Sequence, residues 1–546
     1  MHKSAFRTRI GAVLAGAALA LGGTAQAQTA GPVVQTASGP VEGVYKDAAA
    51  EFLGIPFAAP PVGPLRWRPP VAPTPWTAVR PAKSFAPACA QINLLGVFAG
   101  PANSNEDCLY LNVFAPRGAV AGKSRLPVFV WIFGGGYVDG DINHYDGTKL
   151  AVQGKAIVVA MNYRLNLFGF LAHPALDKEG HLFGNYGTLD QQFALKWVQA
   201  NIAKFGGDPN NVTLGGQSAG GSSTGSNMMS PLAKGLFHKA IIQSAGAYLN
   251  TAPLEVARAR GVGFAKAAGC GEGADEATAA CLRALPAEAV LNLAGSQKGN
   301  SQYIAPFIIR DGQIIPGGGA SSFATGNFAK MPVMNGTVRD EGGFFTGIEM
   351  YGAGTPPWKT ITHDGVAAMV RAVYGANADK ILPNYPAERY ATAQLRSNAI
   401  QSDAFVCKAY HATHLLKGKV PLYVYEFRDR TAPAYFPAMP GYEPLAFHTA
   451  ELPYLFPGYH GAGVKHDLNP RQQRLSDQMV RLWANFLHTG NPNGNPASKG
   501  SKPWPAFGAK TGSYLAINTS GLSTITDASF AADHQCALWA GILTYN

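Results

Sequence analysis

The chain has no C-x-x-C pair, no run of basic residues and, after its N-terminal region, no apolar stretch of bilayer length. Each absence removes a class. Without C-x-x-C there is no thioredoxin-like redox motif and no zinc ribbon. Basic residues outnumber acidic ones, 44 to 33, but they are scattered, without the clusters and interleaved aromatics of a nucleic-acid binder. Spanning a bilayer takes about 20 consecutive apolar residues, so no transmembrane segment is expected. Charged residues make up 14% of the chain and hydrophobic ones 47%, a globular balance. Neither an internal repeat nor a flexible linker divides it.

The N-terminus reads as a leader. Lys3, Arg7 and Arg9 precede an apolar run from Ile10 to Leu21, which ends near Ala25-Gln26-Ala27. That is a basic region, a signal-length apolar core and an A-x-A cleavage site. Residues 1–27 are therefore expected to leave as a signal peptide, taking three positive charges from the formal +11. Residues 28–546 are read as one domain, exported to a periplasm or the medium.

Export permits disulfides. The chain has six cysteines, and six allow 15 pairings. Local spacing suggests Cys89 with Cys108 and Cys270 with Cys281, leaving Cys407 for Cys536, although spacing alone does not decide it.

Apolar strands alternate with amphipathic helices through the middle of the chain. Val128–Phe133 and Ala156–Met161 read as strands buried on both faces. A helix follows with Leu189, Phe193, Trp197 and Ile202 on one face. Further strands are read at Ala240–Gln243, Lys330–Thr337 and Leu422–Phe427, and an amphipathic helix at Arg471–His488. This alternation predicts an α/β fold with a largely parallel central sheet.

The stretch that organises the rest is Val212–Gly221. An apolar, β-branched run stops at Gly216-Gln217-Ser218-Ala219-Gly220, and small residues suited to a helix start follow. G-x-S-x-G is the nucleophile elbow, a turn so tight that a β-carbon two residues either side of the serine would clash. It lifts the Ser218 hydroxyl clear of the sheet and aims the Ala219 N–H at a developing oxyanion. Earlier, the strand ending at Phe133 runs into Gly134-Gly135-Gly136-Tyr137. That triple glycine lacks the G-x-G-x-x-G register and the following Lys-Ser/Thr of a phosphate loop. An oxyanion-hole loop is the better reading.

A serine needs a base, and the base an orienting acid. In chain order the acid follows Ser218 at the end of a strand, where both Asp340 and Glu341 stand. The base then comes from a later loop. His411 and His414 read as helix positions, and their lone H-x-x-H is weak as a metal site. His488 sits at a helix C-terminus. His448, on an apolar loop, is best placed. The residues alone leave Asp340 and Glu341 undecided.

Together these stretches resemble the type-B carboxylesterases, the carboxylesterase/cholinesterase family of the α/β-hydrolase fold. The resemblance rests on Glu106–Asn112, Gly134–Tyr137, Asn162-Tyr163-Arg164, Phe205–Pro209, the elbow, Asp340-Glu341-Gly342 and His448–Tyr454, in that order. It implies a large, mostly parallel sheet with helices on both faces and long loops over the site. It also implies Ser218 as nucleophile, Glu341 as acid, His448 as base, and Gly135, Gly136 and Ala219 as oxyanion donors. Arg66 with Glu106, and Arg164 with Asp190, resemble family salt bridges, and the three cysteine pairings match the family's. Ser244 resembles a serine that hydrogen-bonds behind the triad. Gln217 stands where the family often has glutamate, which implies tuned rather than abolished activity.

The expected reaction is ester hydrolysis through an acyl-enzyme, without metal or organic cofactor. The same triad also suits amides, carbamates or polyesters, and a catalytically inactive binding protein is the remote alternative. Ala90–Asp107 lacks the tryptophan with which cholinesterases grip choline, which argues against that branch. Together with Gly347–Trp358 and Tyr435–Tyr442 it is expected to line the approach to the site, whose aromatics suggest an apolar or aromatic ester.

Overall fold

A computed structural model describes residues 31–96, 100–120, 123–294, 308–352, 357–459, 461, 463–494, 503–508 and 512–546. The leader reading, at residues 1–27, lies outside the described residues.

Apolar runs with β-branched residues line up into one 11-stranded sheet. In chain order its strands are β1 (Val44–Lys46), β2 (Ala49–Pro56), β3 (Tyr110–Pro116), β4 (Leu126–Ile132), β5 (Ile157–Met161), β6 (Gly207–Gln217), β7 (Lys239–Gln243), β8 (Val333–Val338), β9 (Leu422–Phe427), β10 (Ser513–Asn518) and β11 (Gly521–Thr526). Across the sheet the order is β1-β2-β3-β5-β4-β6-β7-β8-β9-β10-β11. From β5 to β10 every pairing is parallel, while β1–β2, β2–β3, β3–β5 and β10–β11 are antiparallel. The central parallel strands Ile157–Met161, Lys239–Gln243, Val333–Val338 and Leu422–Phe427 are buried along their whole length, so they are covered on both faces rather than alternating.

The helices that matter to the site are α1 (Tyr186–Asn201), α2 (Ala219–Met229), α3 (Gly342–Tyr351), α4 (Ala393–Leu416) and α5 (Pro470–Thr489). The last begins in a capping box: Asn469 accepts from the Gln472 N–H, and Gln472 accepts from the Asn469 N–H. Among the described residues no helix is long and apolar enough to cross a membrane.

Three disulfides close the chain: Cys89–Cys108, Cys270–Cys281 and Cys407–Cys536. Arg66 Nε donates to Glu106 Oε2 at 2.7 Å. Arg164 grips Asp190 with two bonds of 2.8 Å in full burial. A parallel sheet of this kind opens its functional crevice at the carboxyl ends of the strands, where β4, β6, β8 and β9 run into the loops described next.

Candidate active site

Ser218 stands between β6 and α2 at φ 58°, ψ −120°, a left-handed conformation that a residue with a β-carbon adopts only under constraint. The constraint is backbone crowding. A β-carbon on Gly220 would lie 1.9 Å from the Ile132 carbonyl oxygen, and one on Gly216 would lie 2.5 Å from that same atom. Only glycine lets the turn press this close to the end of β4. The Ser218 N–H donates to the Gln243 carbonyl at 2.9 Å, tying the turn to β7.

Beside it, β4 ends in Gly134-Gly135-Gly136. Gly135 (φ 101°) turns so sharply that a β-carbon would meet the Asp139 carbonyl at 1.9 Å. Among the described residues the N–H groups of Gly135 and Gly136 donate to no protein acceptor. A clamp holds this loop: Gln91 Oε1 accepts from the Gly140 N–H at 2.6 Å, and its Nε2 donates to the Gly140 carbonyl at 3.3 Å. Gln91 sits two residues beyond Cys89, so the Cys89–Cys108 disulfide braces the glycine loop through it. Sequence reading passed over Gln91, because nothing local marks a glutamine whose partner lies on another loop.

Glu341 is fully buried at the start of α3. Its Oε1 accepts from the Val338 N–H at 3.0 Å, and Oε2 pairs with His448 Nδ1. The neighbouring Asp340 points elsewhere. Both its oxygens take bonds of 2.8 Å from Arg430, and it also accepts from the Ala446 N–H, holding the loop that carries His448. The two candidate acids thus separate by partner. The rings of Phe344 and Phe345 lie 5.3 Å from the His448 ring and that of Phe405 5.2 Å, giving the imidazole an apolar setting.

Gln217 is buried, and its Nε2 lies 3.1 Å from His448 Nε2. An amide donor matches a ring nitrogen that carries no proton, so this contact and Glu341 together select the tautomer protonated on Nδ1. Ser244 departs from expectation. Its backbone N–H bonds the Gly336 carbonyl at 2.7 Å and its φ is 48°, but its hydroxyl finds no partner among the described residues. The residue follows directly on the end of β7. Glu451 stands in the region expected of such a support. Gln243 Nε2 donates to it at 3.2 Å, and burial together with the Glu341 charge pushes its carboxyl up to about 7.

Ser218, His448, Gln217 and the three glycines line one cavity of about 120 Å³. Leu95, Phe344, Phe345 and Ile348 form its apolar wall; Asp141, His144, Tyr145 and Tyr459 form a polar aromatic one. Ala90–Asp107 and Gly347–Trp358 each contribute to it. Tyr435–Tyr442 does not: Ala438, Pro440 and Gly441 line a separate pocket with Met350 and Trp358. The Tyr442 hydroxyl donates to the Gly343 carbonyl at 2.9 Å, which ties its loop to α3.

Residues 30–539 match the model of the carboxylesterase family. Among similar proteins, an acylcarnitine hydrolase of Mus musculus is 35% identical over 502 residues, covering 88% of this chain and 86% of its own. A fumonisin B1 esterase of Sphingopyxis macrogoltabida is 37% identical over 518 residues, 89% of this chain and 87% of its own. Among solved structures, a thermophilic PNB esterase superposes with a TM-score of 0.74 at 32% identity, over 92% of this chain and 99% of that one.

Proposed function

The chain belongs to the carboxylesterase family and is a carboxylic ester hydrolase, and from that premise we propose that it is an exported serine esterase working through Ser218, His448 and Glu341. The observation that carries the reading is the elbow. A strained Ser218 shares one cavity with His448, whose far nitrogen is held by a buried glutamate.

In this reading His448 Nε2 takes the Ser218 proton as Oγ bonds to the ester carbonyl carbon. The carbonyl π pair moves onto oxygen, where the Gly135, Gly136 and Ala219 amides meet it; losing one such donor costs about 10²–10³ in rate. The carbon–oxygen bond to the alcohol breaks, and the leaving oxygen takes the proton back from His448. Water, deprotonated by the same ring, then attacks the acyl-enzyme and frees the acid and Ser218. Glu341 keeps the ring oriented and stabilises its charged form. The apolar wall of Leu95, Phe344, Phe345 and Ile348 favours an apolar or aromatic acyl group.

Export rests on the leader sequence and is supported by three disulfides, which suit an oxidising compartment. Mass spectrometry of the secreted or periplasmic protein is expected to find an N-terminus at Gln28. An intact Met1 terminus would sink that part of the reading.

The mechanism is tested by turnover of p-nitrophenyl acetate, butyrate and palmitate by the wild-type enzyme and Ser218→Ala. Rapid turnover of the short esters is expected, with kcat falling by roughly 10⁶-fold in the variant. Equal turnover by both proteins would remove Ser218 from the mechanism.

Gln217→Glu gives a second expectation. A carboxylate there would face His448 Nε2 alongside Glu341 and the buried Glu451, with Asp141 and His144 across the cavity. It favours the protonated ring, so the acid limb of the kcat/KM profile moves to higher pH while the enzyme stays active. An unmoved limb would show that the side chain at 217 does not reach the ring.

A further inference from the structure

His448 sits in a turn whose geometry suits glycine at the next position, and a threonine stands there instead. The Ala450 N–H donates to the Phe447 carbonyl at 2.8 Å, closing a four-residue turn with His448 second and Thr449 third. Thr449 has φ 81°. A type II turn requires such a value at its third residue, and glycine or asparagine ordinarily supplies it because a β-carbon crowds the backbone there. A β-branched residue takes that conformation only when its surroundings impose it.

The surroundings here are a buried tyrosine. Tyr435 is 2% exposed, and its hydroxyl lies 2.9 Å from Thr449 Oγ1. Its ring packs edge-on against Phe447, with centroids 5.9 Å apart. One side chain therefore touches the residues on both sides of His448. Tyr435 is itself anchored: its carbonyl accepts from the Val464 N–H at 2.8 Å. Its hydroxyl is also hydrogen-bonded to that of Tyr459, whose ring centroid is 5.5 Å away. Tyr459 in turn bonds the hydroxyl of Tyr145, on the loop that follows the three glycines. Among the described residues Thr449 is on the wall of the catalytic cavity and Tyr435 is not. The tyrosine thus acts on the site through Thr449.

We propose that Tyr435 is a positioning residue, which holds the Thr449 hydroxyl, keeps the turn in its strained form and so aims the His448 ring at Ser218. This rests on His448 being the base of the reaction. Without the tyrosine bond Thr449 relaxes towards negative φ, which rotates the peptide next to His448 and carries the ring off its line. Misplacing a reacting group by about 1 Å can cost on the order of 10² in rate, so a partial relaxation is costly.

Tyr435→Phe keeps the ring against Phe447 and removes only the hydroxyl. It is expected to lower kcat for p-nitrophenyl butyrate about tenfold and to leave KM within about twofold. Thr449→Val removes the partner hydroxyl at nearly constant shape, and adding Tyr435→Phe to it should cost nothing further. Thr449→Gly is the sharper background, since glycine takes φ near 80° without strain. There Tyr435→Phe is expected to change kcat by less than about twofold. Rates are taken per active site titrated with diethyl p-nitrophenyl phosphate, so misfolded protein does not count. No loss in the wild type, or a loss that recurs undiminished in the Thr449→Val and Thr449→Gly backgrounds, overturns the positioning role.

If His448→Ala turns over as fast as the wild type, the base reading fails separately. Ring placement is then read without turnover, from the far-downfield proton resonance of the His448–Glu341 hydrogen bond, identified by its loss in His448→Ala. A resonance moved by Tyr435→Phe in the wild type, but not in the Thr449→Gly background, supports the positioning role. One that Tyr435→Phe leaves in place in the wild type, or moves equally in both backgrounds, overturns it.

Discussion

Glu341→Gln is expected to lower kcat for p-nitrophenyl butyrate by roughly 10⁴-fold, the loss seen when the orienting acid of a triad becomes an amide. The reason is specific to the hydrogen bonding. Glu341 Oε1 is already committed to the Val338 N–H, so Oε2 alone faces His448 Nδ1. An amide oriented to keep the Val338 bond must present its NH₂ to the ring, which then carries its proton on Nε2, where it cannot accept one from Ser218. Asp340→Asn is the matched control. Asp340 binds Arg430 and the Ala446 N–H, so it anchors the loop carrying His448 without touching the ring. Its loss should leave at least about a tenth of kcat while lowering stability, since an uncompensated partner of a paired charge is costly. Equal kcat losses in the two variants would overturn the assignment of the acid.

These two adjacent carboxylates show where sequence reading reaches its limit. The strand before them and the elbow were legible because each is written in a few consecutive residues: an apolar run, or glycines at fixed offsets from a serine. Which of two neighbouring acids faces the histidine is decided by the turn after β8, and the residues alone left that open. The parallel sheet was legible for the same local reason, from Val128 through Phe427. Its β10–β11 hairpin was not picked out, because Gly521–Thr526 has few large apolar residues and lies exposed at a sheet edge.

The cavity wall was harder still. Leu95 and Gly100, Asp141 and His144, and Tyr459 come from three distant segments that meet only after the sheet has formed. No spacing rule links them. Asp141 follows the triple glycine closely enough to have been noticed, yet an aspartate in a glycine-rich loop reads as turn chemistry. Tyr435–Tyr442 errs the other way: its aromatics suggested a lining, and Tyr442 instead uses its hydroxyl to pin the loop to α3.

The C-terminus gives the second large expected effect, on stability and its dependence on pH. His534 is buried between two carboxylates, with Nδ1 3.0 Å from Asp403 on α4 and Nε2 2.6 Å from Glu426 on β9. Burial alone would lower its pKa, but the two hydrogen-bonded carboxylates outweigh burial and raise it to about 9. Glu426 is held below the usual carboxylate range: burial opposes this, but His534, Arg428 and Arg339 overcome it. The Cys407–Cys536 disulfide closes the same region covalently.

A histidine whose pKa rises on folding contributes stability that is fully present below its unfolded value near 6.5 and lost as pH climbs towards 9. That interval corresponds to about 3 kcal/mol. Asp139 and Glu451, each pushed up to about 7, also lose protons on the way, but they do so in any His534 variant as well. Denaturant unfolding of wild type and His534→Gln at about pH 6 and about pH 9 therefore isolates the term. The wild type should be the more stable at the lower pH and should lose about 3 kcal/mol more than the variant between the two. If both proteins lose the same amount, His534 is not the charged link between these elements, and the disulfide with the buried Trp539 holds the C-terminus in place.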